Sequence, residues 1–177
     1  NYMINKIKKL QKNFNIKMKN DLLLIEALTH KSSNKDFNNE KLEFLGDRVI
    51  GLVLSKKIYD LYPKDKEGVL DKKFANLVKK KTCCNIAWSI NLQNYILIGD
   101  KKKKVNINDE KILSDVCEAL IGAIFVDRGF DYTMKFVQNI WKDELIKSAV
   151  TILDSKTKLQ EHSLKKHKKL PVYNLVN

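Results

Sequence analysis

Between Asn39 and Tyr59 the chain reads NEKLEFLGDRVIGLVLSKKIY, an apolar helical pattern broken by three carboxylates. Leu42, Phe44, Leu45, Val49, Ile50, Leu52, Val53 and Leu54 carry the apolar pattern. Glu40, Glu43 and Asp47 stand at i, i+3 and i+7, and a helix turning every 3.6 residues sets these positions along one narrow stripe. Acids on such a helix cost free energy unless something compensates them. A second stretch repeats the conflict. EKILSDVCEALIGAIFVDRG, starting at Glu110, is apolar almost all round and should be buried. Yet it carries Asp115 and Glu118 at i, i+3, on one face.

If the two helices cross side by side, Glu43, Asp47, Asp115 and Glu118 converge on one point, with Glu40 at its rim. Like charges that close cannot all ionise unless cations join them or several pKa values rise. Hard oxygen ligands suit Mg²⁺, with Mn²⁺ as a substitute. Two such ions roughly 4 Å apart make a hydrolytic centre for phosphodiesters, activating a water and stabilising the leaving oxygen. No His, Ser or Cys nucleophile is needed, and the sequence offers no convincing one. Plainer readings exist. One i, i+3 acid pair is usually a solvated face, and Lys41 or Arg48 could serve as partners for Glu40. A di-iron bundle also uses inward carboxylates, but its Glu-x-x-His pairs are missing.

The rest of the chain is read as helical up to about residue 150. Ile4, Ile7, Leu10 and Phe14 suggest an amphipathic first helix, and Asp21 an N-cap for DLLLIEALTH. Asn39 is the candidate cap of the central helix, which should stop before Pro63. VLDKKFANLVKKKTCCNIAWSI and DYTMKFVQNIWKDELIKSAV each read as one helix. From about residue 152 the texture changes: DSKTKLQEHSLKKHKK is a basic helical pattern, and LPVYNLVN alternates like a strand. One helix and one strand enclose no core, so this is the expected beginning of a second, truncated domain.

The net charge of +13 is carried almost wholly by lysine, Arg48 and Arg128 being the only arginines. Such an excess attracts polyanions, with lysine acting as a point charge on phosphate, or else only keeps the surface soluble. Cys83, Cys84 and Cys117 offer neither zinc spacing nor a disulfide framework, which suits buried thiols in a reducing cytosol. No apolar run is long enough to span a bilayer, and the opening lacks a signal-peptide core. The expectation is a cytoplasmic protein without membrane partners.

NEKLEFLGDRVIG closely resembles the signature of bacterial ribonuclease III, the endonuclease that cleaves double-stranded RNA. LTHKSSN before it, EGVL and ANLV after it, and SDVCEALIGAIFVDRG recur in that family in this order. DSKTKLQE followed by LPVY resembles the opening of its double-stranded-RNA-binding domain, so the likeness covers essentially the whole chain. It implies an all-α nuclease domain over residues 1–150, then the first helix and strand of an α+β RNA-binding domain over residues 151–177. It also implies Mg²⁺ at Glu43, Asp47, Asp115 and Glu118, with Asp47 and Glu118 most strongly tied to catalysis. By the same likeness Glu40 contacts RNA or supports the site, and Phe44 inserts into the partner subunit of a homodimer. Thr157, Gln160 and Glu161 match the face that reads the RNA minor groove, where shape and 2′-hydroxyls decide. The implied products carry 5′-phosphate and 3′-hydroxyl ends with a short 3′ overhang, from ribosomal RNA precursors and some messenger RNAs.

Three departures from the family pattern bear on this. Arg48 stands where the signature usually has a small residue, and it is expected to point away from Asp47. Lys101 to Lys104 and VNINDE replace a glycine-rich loop, and Leu164 replaces a frequent glutamine. The alternative function is a ribonuclease III-like module that has lost catalysis and only clamps duplex RNA, but none of the metal acids is lost. A scaffolding subunit fits the charge poorly.

Overall fold

The computed structural model describes residues 2–99, 106, 109–149 and 162–169, and everything in it up to residue 149 is helix or connection. The order is α1 (Tyr2–Phe14), α2 (Asp21–Leu28), α3 (Glu40–Leu61), α4 (Glu67–Val78) and α5 (Lys80–Ser89). A 3₁₀ turn (Leu92–Asn94) follows, then α6 (Glu110–Arg128), α7 (Phe130–Ile140) and α8 (Lys142–Lys147). The protein is all-α: among the described residues the sole β interaction is an isolated parallel bridge between Thr29 and Leu97. No described helix is long and apolar enough to cross a membrane.

α6 is the hub, as its all-round apolar pattern requires. Its residues from Ile112 to Leu113, Val116, Cys117 and Ala119 to Ile124 are buried, and α2, α3, α5 and α7 pack around it. The contact with α3 is unusually close because both helices put glycine at the crossing. A Cβ on Gly46 would lie 1.8 Å from the Glu118 carbonyl oxygen, and one on Gly122 would lie 2.2 Å from that of Leu42. Only hydrogen fits at either position, so the two backbones touch. The three cysteines are free and buried, as the sequence suggested.

Local signals decide the helix ends, with several shifts from the sequence reading. Asn20, not Asp21, caps α2, its side chain accepting from Leu22 N at 3.0 Å. Asp109 caps α6 through Lys111 N at 2.8 Å. Gly129, at φ 77°, makes the left-handed turn from α6 to α7. The stretch read as one helix after Pro63 is two, because Lys79 takes extended angles between α4 and α5. The last is also two, breaking at fully buried Trp141, whose indole N–H donates to Leu77 O at 3.0 Å.

The approach to α3 is strapped down rather than loose. Leu97 N donates to Leu28 O at 2.8 Å, His30 N to Leu97 O at 2.9 Å, and Asn39 N to Thr29 O at 2.9 Å. Gly99 lets this strap lie against the 30–34 loop, since a Cβ there would meet Ser32 O at 2.1 Å. The first turn of α3 therefore has a fixed position. Residues 162–167 are helical. Thr157, Gln160, Glu161 and Lys101 to Lys104 lie outside the described residues.

Candidate metal centre

At the glycine-backed crossing, α3 supplies Glu43, and α6 supplies Asp115 and Glu118. One carboxylate oxygen from each lies within 4.8 Å of the other two, and all three residues are half-buried. Of the four acids that the spacing sets on facing stripes, Glu43, Asp115 and Glu118 come together and Asp47 does not. Hard oxygen donors so disposed fit a divalent cation such as Mg²⁺.

The electrostatics of the cluster point the same way. Burial pushes the Glu118 carboxyl up from 4.5 to about 7, and the charges of Asp47, Asp115 and Glu43 add to the rise. Burial, then Asp115, also raises Glu43. These are acids short of positive charge. Lys111, an exposed lysine one turn before Asp115, covers part of the deficit with Nζ 2.6 Å from Asp115 Oδ2. Ser114, 1% exposed, donates to Glu118 Oε1 at 3.2 Å and so fixes the orientation of that carboxylate. Both partners sit at i, i+4 to an acid, a signal present in the sequence and not used there.

Two other residues differ from expectation. Asp47 lies close enough for its charge to raise Glu118, but its carboxylate is paired with Arg48 Nη1 and is outside the group of three. Arg48 was expected to point away from Asp47. Instead its guanidinium also stacks over Phe44, 4.5 Å from the ring centroid, so one side chain spans both residues. Phe44 itself is 64% exposed and so is no part of this domain's core.

Glu40 sits at the rim as predicted, bound to Lys31 Nζ at 2.9 Å, and that hydrogen bond lowers its pKa. Lys31 comes from the 30–34 loop, a partner that helical spacing cannot reveal. Beside the cluster lies a cavity of about 130 Å³, between Asn39, Glu40 and Glu43 on one side and Lys111 and Asp115 on the other, with His30 and Lys31 at the edge. The His30 ring bonds through Nδ1 to Ser32 Oγ at 2.8 Å. Asn39 does not cap α3 through its side chain, against the sequence reading.

Comparison with known proteins gives the family. The family model described as Ribonuclease-III-like matches residues 20–144. The chain is 52% identical over 170 residues to Ribonuclease 3 of Pelagibacter ubique, covering 96% of this chain and 76% of that protein. It belongs to the ribonuclease III family. Ribonuclease 3 of Campylobacter jejuni is 41% identical over 174 residues, covering 96% of this chain and 77% of that one. The solved nuclease domain of ribonuclease III from Campylobacter jejuni superposes with a TM-score of 0.75 at 39% identity, covering 79% of this chain and 99% of that domain. That structure is described by flexibility in a region involved in dimer formation.

The raised carboxylates make stability depend on pH in a defined direction. A group whose pKa goes from 4.5 unfolded to about 7 folded holds extra protons in the native state between those values. The metal-free protein should therefore lose stability as pH rises through that window. Urea unfolding with a chelator should give a higher midpoint at pH about 5 than at about 8, and Mg²⁺ should restore the loss at the higher pH by binding the ionised acids. Glu118→Gln should flatten the dependence. A chelated wild-type protein that gains stability over this window would contradict the burial of these acids.

Proposed function

We propose that this chain is an endoribonuclease that hydrolyses phosphodiester bonds in double-stranded RNA. The observation that carries the reading is the trio Glu43, Asp115 and Glu118, gathered within 4.8 Å at the helix crossing of a ribonuclease III family member. Mg²⁺ bound there, or Mn²⁺ in its place, would supply an activated water and neutralise charge on the phosphodiester. Glu43, Asp115 and Glu118 would hold the ion, with Ser114 orienting Glu118. Asp47 completes the set as a catalytic acid once its carboxylate leaves Arg48.

The products have 5′-phosphate and 3′-hydroxyl ends, and the substrates include ribosomal RNA precursors and some messenger RNAs in the cytoplasm. Two copies form a homodimer, each inserting the exposed Phe44 into the other, in keeping with the dimer-forming region described for the Campylobacter jejuni domain. Residues 1–150 are the catalytic domain, and 151–177 begin a double-stranded-RNA-binding domain in which Thr157, Gln160 and Glu161 contact the minor groove. Glu40 contacts RNA from the rim of the cleft.

A long RNA duplex incubated with and without Mg²⁺ tests the reading: cutting should require the ion. Affinity for the duplex should fall by a factor of at least about 10³ between 50 and 200 mM salt, as lysine contacts to several phosphates demand. Binding without cutting in Mg²⁺ and Mn²⁺ would instead support the catalytically inactive module, and salt-insensitive affinity would remove the phosphate contacts from the picture.

A further inference from the structure

Asn39 is 2% exposed, and its side-chain Nδ2 has no hydrogen-bond partner. Burying an unpaired amide donor costs on the order of 1–3 kcal/mol, so its retention needs an explanation. Capping is not the explanation. Asn39 has helical angles, φ −78° and ψ −10°, and makes no side-chain cap bond. Nor is the amide needed to hold the chain. The backbone N–H of Asn39 donates to Thr29 O at 2.9 Å, and its carbonyl accepts from Glu43 N at 2.8 Å. Thr29 is itself held by the bridge to Leu97. The amide is thus carried on a fixed backbone with nothing of its own to bond.

Asn39 is one of the residues lining the cavity of about 130 Å³ beside the carboxylate trio, with its amide nitrogen buried just behind the wall. This open cavity has room for several waters or for a group the size of a phosphate. Two of the three acids on its wall have donors already, Lys31 on Glu40 at 2.9 Å and Lys111 on Asp115 at 2.6 Å, while Glu43 has none among the described residues. The cavity therefore presents carboxylates that suit a cation together with N–H donors that suit an anionic oxygen. A phosphodiester entering beside a bound cation brings such an oxygen.

We propose that Asn39 is a substrate-binding catalytic residue whose side-chain amide donates to a non-bridging oxygen of the scissile phosphate. This rests on the endoribonuclease reading. The donor has no partner in the free protein and gains one when RNA enters. Because the contact is made at the reacting phosphate, its loss is felt in the cleavage step rather than in overall duplex affinity, which many lysines share.

The test is Asn39→Leu, which removes the donor at similar length, alongside Asn39→Ala. Each is measured for melting temperature, for Mn²⁺ affinity by calorimetry without RNA, and for single-turnover cleavage of a long RNA duplex. Cleavage should slow by roughly 10- to 100-fold, the loss of one hydrogen bond to a charged group. Mn²⁺ affinity should stay within about twofold, and Asn39→Leu should melt no lower than wild type, since an unpaired donor has been removed. Cleavage within about twofold of wild type would overturn the proposal. So would weakened Mn²⁺ binding, which would place the amide on water around the ion, or a lowered melting temperature in both variants, which would make its role structural. Wild-type protein that cuts no duplex would sink the endoribonuclease reading too, whereas wild-type cutting matched by Asn39→Leu sinks this inference alone.

Discussion

Glu118→Ala should abolish cutting of duplex RNA while leaving duplex binding intact. Glu118 would share a bound ion with Glu43 and Asp115, and its carboxylate is oriented by Ser114 from the same helix. Removing it leaves two acids, one of them already bound to Lys111. Charge stabilisation by such an ion is worth several kcal/mol, and ~4 kcal/mol corresponds to about 10³-fold in rate. The fold should not suffer, because an acid that burial pushes up to about 7 is a burden on the metal-free protein near neutral pH. A single-turnover assay beside a filter-binding assay separates the two effects. Undiminished cutting by the variant would remove Glu118 from the site.

Gly46→Ala should do more damage than any change to a charged side chain. The added methyl would lie 1.8 Å from Glu118 O, 2.6 Å from its carbonyl carbon and 2.9 Å from Gly122 N, all backbone atoms that no rotamer change can move. The helices must part, and with them Glu43 from Asp115 and Glu118. We expect a loss of about 3 kcal/mol or more, the upper range for overpacking, or roughly 6–12 °C in melting temperature. Mn²⁺ affinity should fall as well. Gly51→Ala is the control on the same helix. Its Cβ would meet only the Phe74 ring at 3.6 Å, an ordinary contact, so stability should stay level or rise by up to about 1 kcal/mol, alanine being the better helix former. Equal effects of the two substitutions would contradict the close crossing.

The close crossing also separates what was legible in the sequence from what was not. The period of 3.6 residues with carboxylates at i, i+3 was enough to put Glu43 on one inward stripe and Asp115 with Glu118 on another, and the all-round apolar pattern was enough to bury the helix that carries the latter pair. Those are local properties of a helix, fixed by its geometry before any packing occurs. The breaks at Lys79 and Trp141 were not legible, because neither residue disfavours a helix: extended angles end α4 at one, and an indole buried against Leu77 O sits at the other.

Residue types and spacing by themselves put acids on the inward stripes of two apolar helices, where a cation could compensate them. Only the tertiary structure decided which of those charges meet. Arg48, adjacent in sequence to Asp47, turned that carboxylate away from the trio, and Lys31, brought in by a strapped loop, took Glu40. Asn39, itself at helical angles, makes no side-chain cap bond, and its amide is left without a partner behind the cavity wall. The physical reason is the same throughout. Helical periodicity sets the direction of a side chain within about a turn, but the partner of a charged or polar tip depends on groups distant in sequence, whose positions are fixed only when the backbones pack.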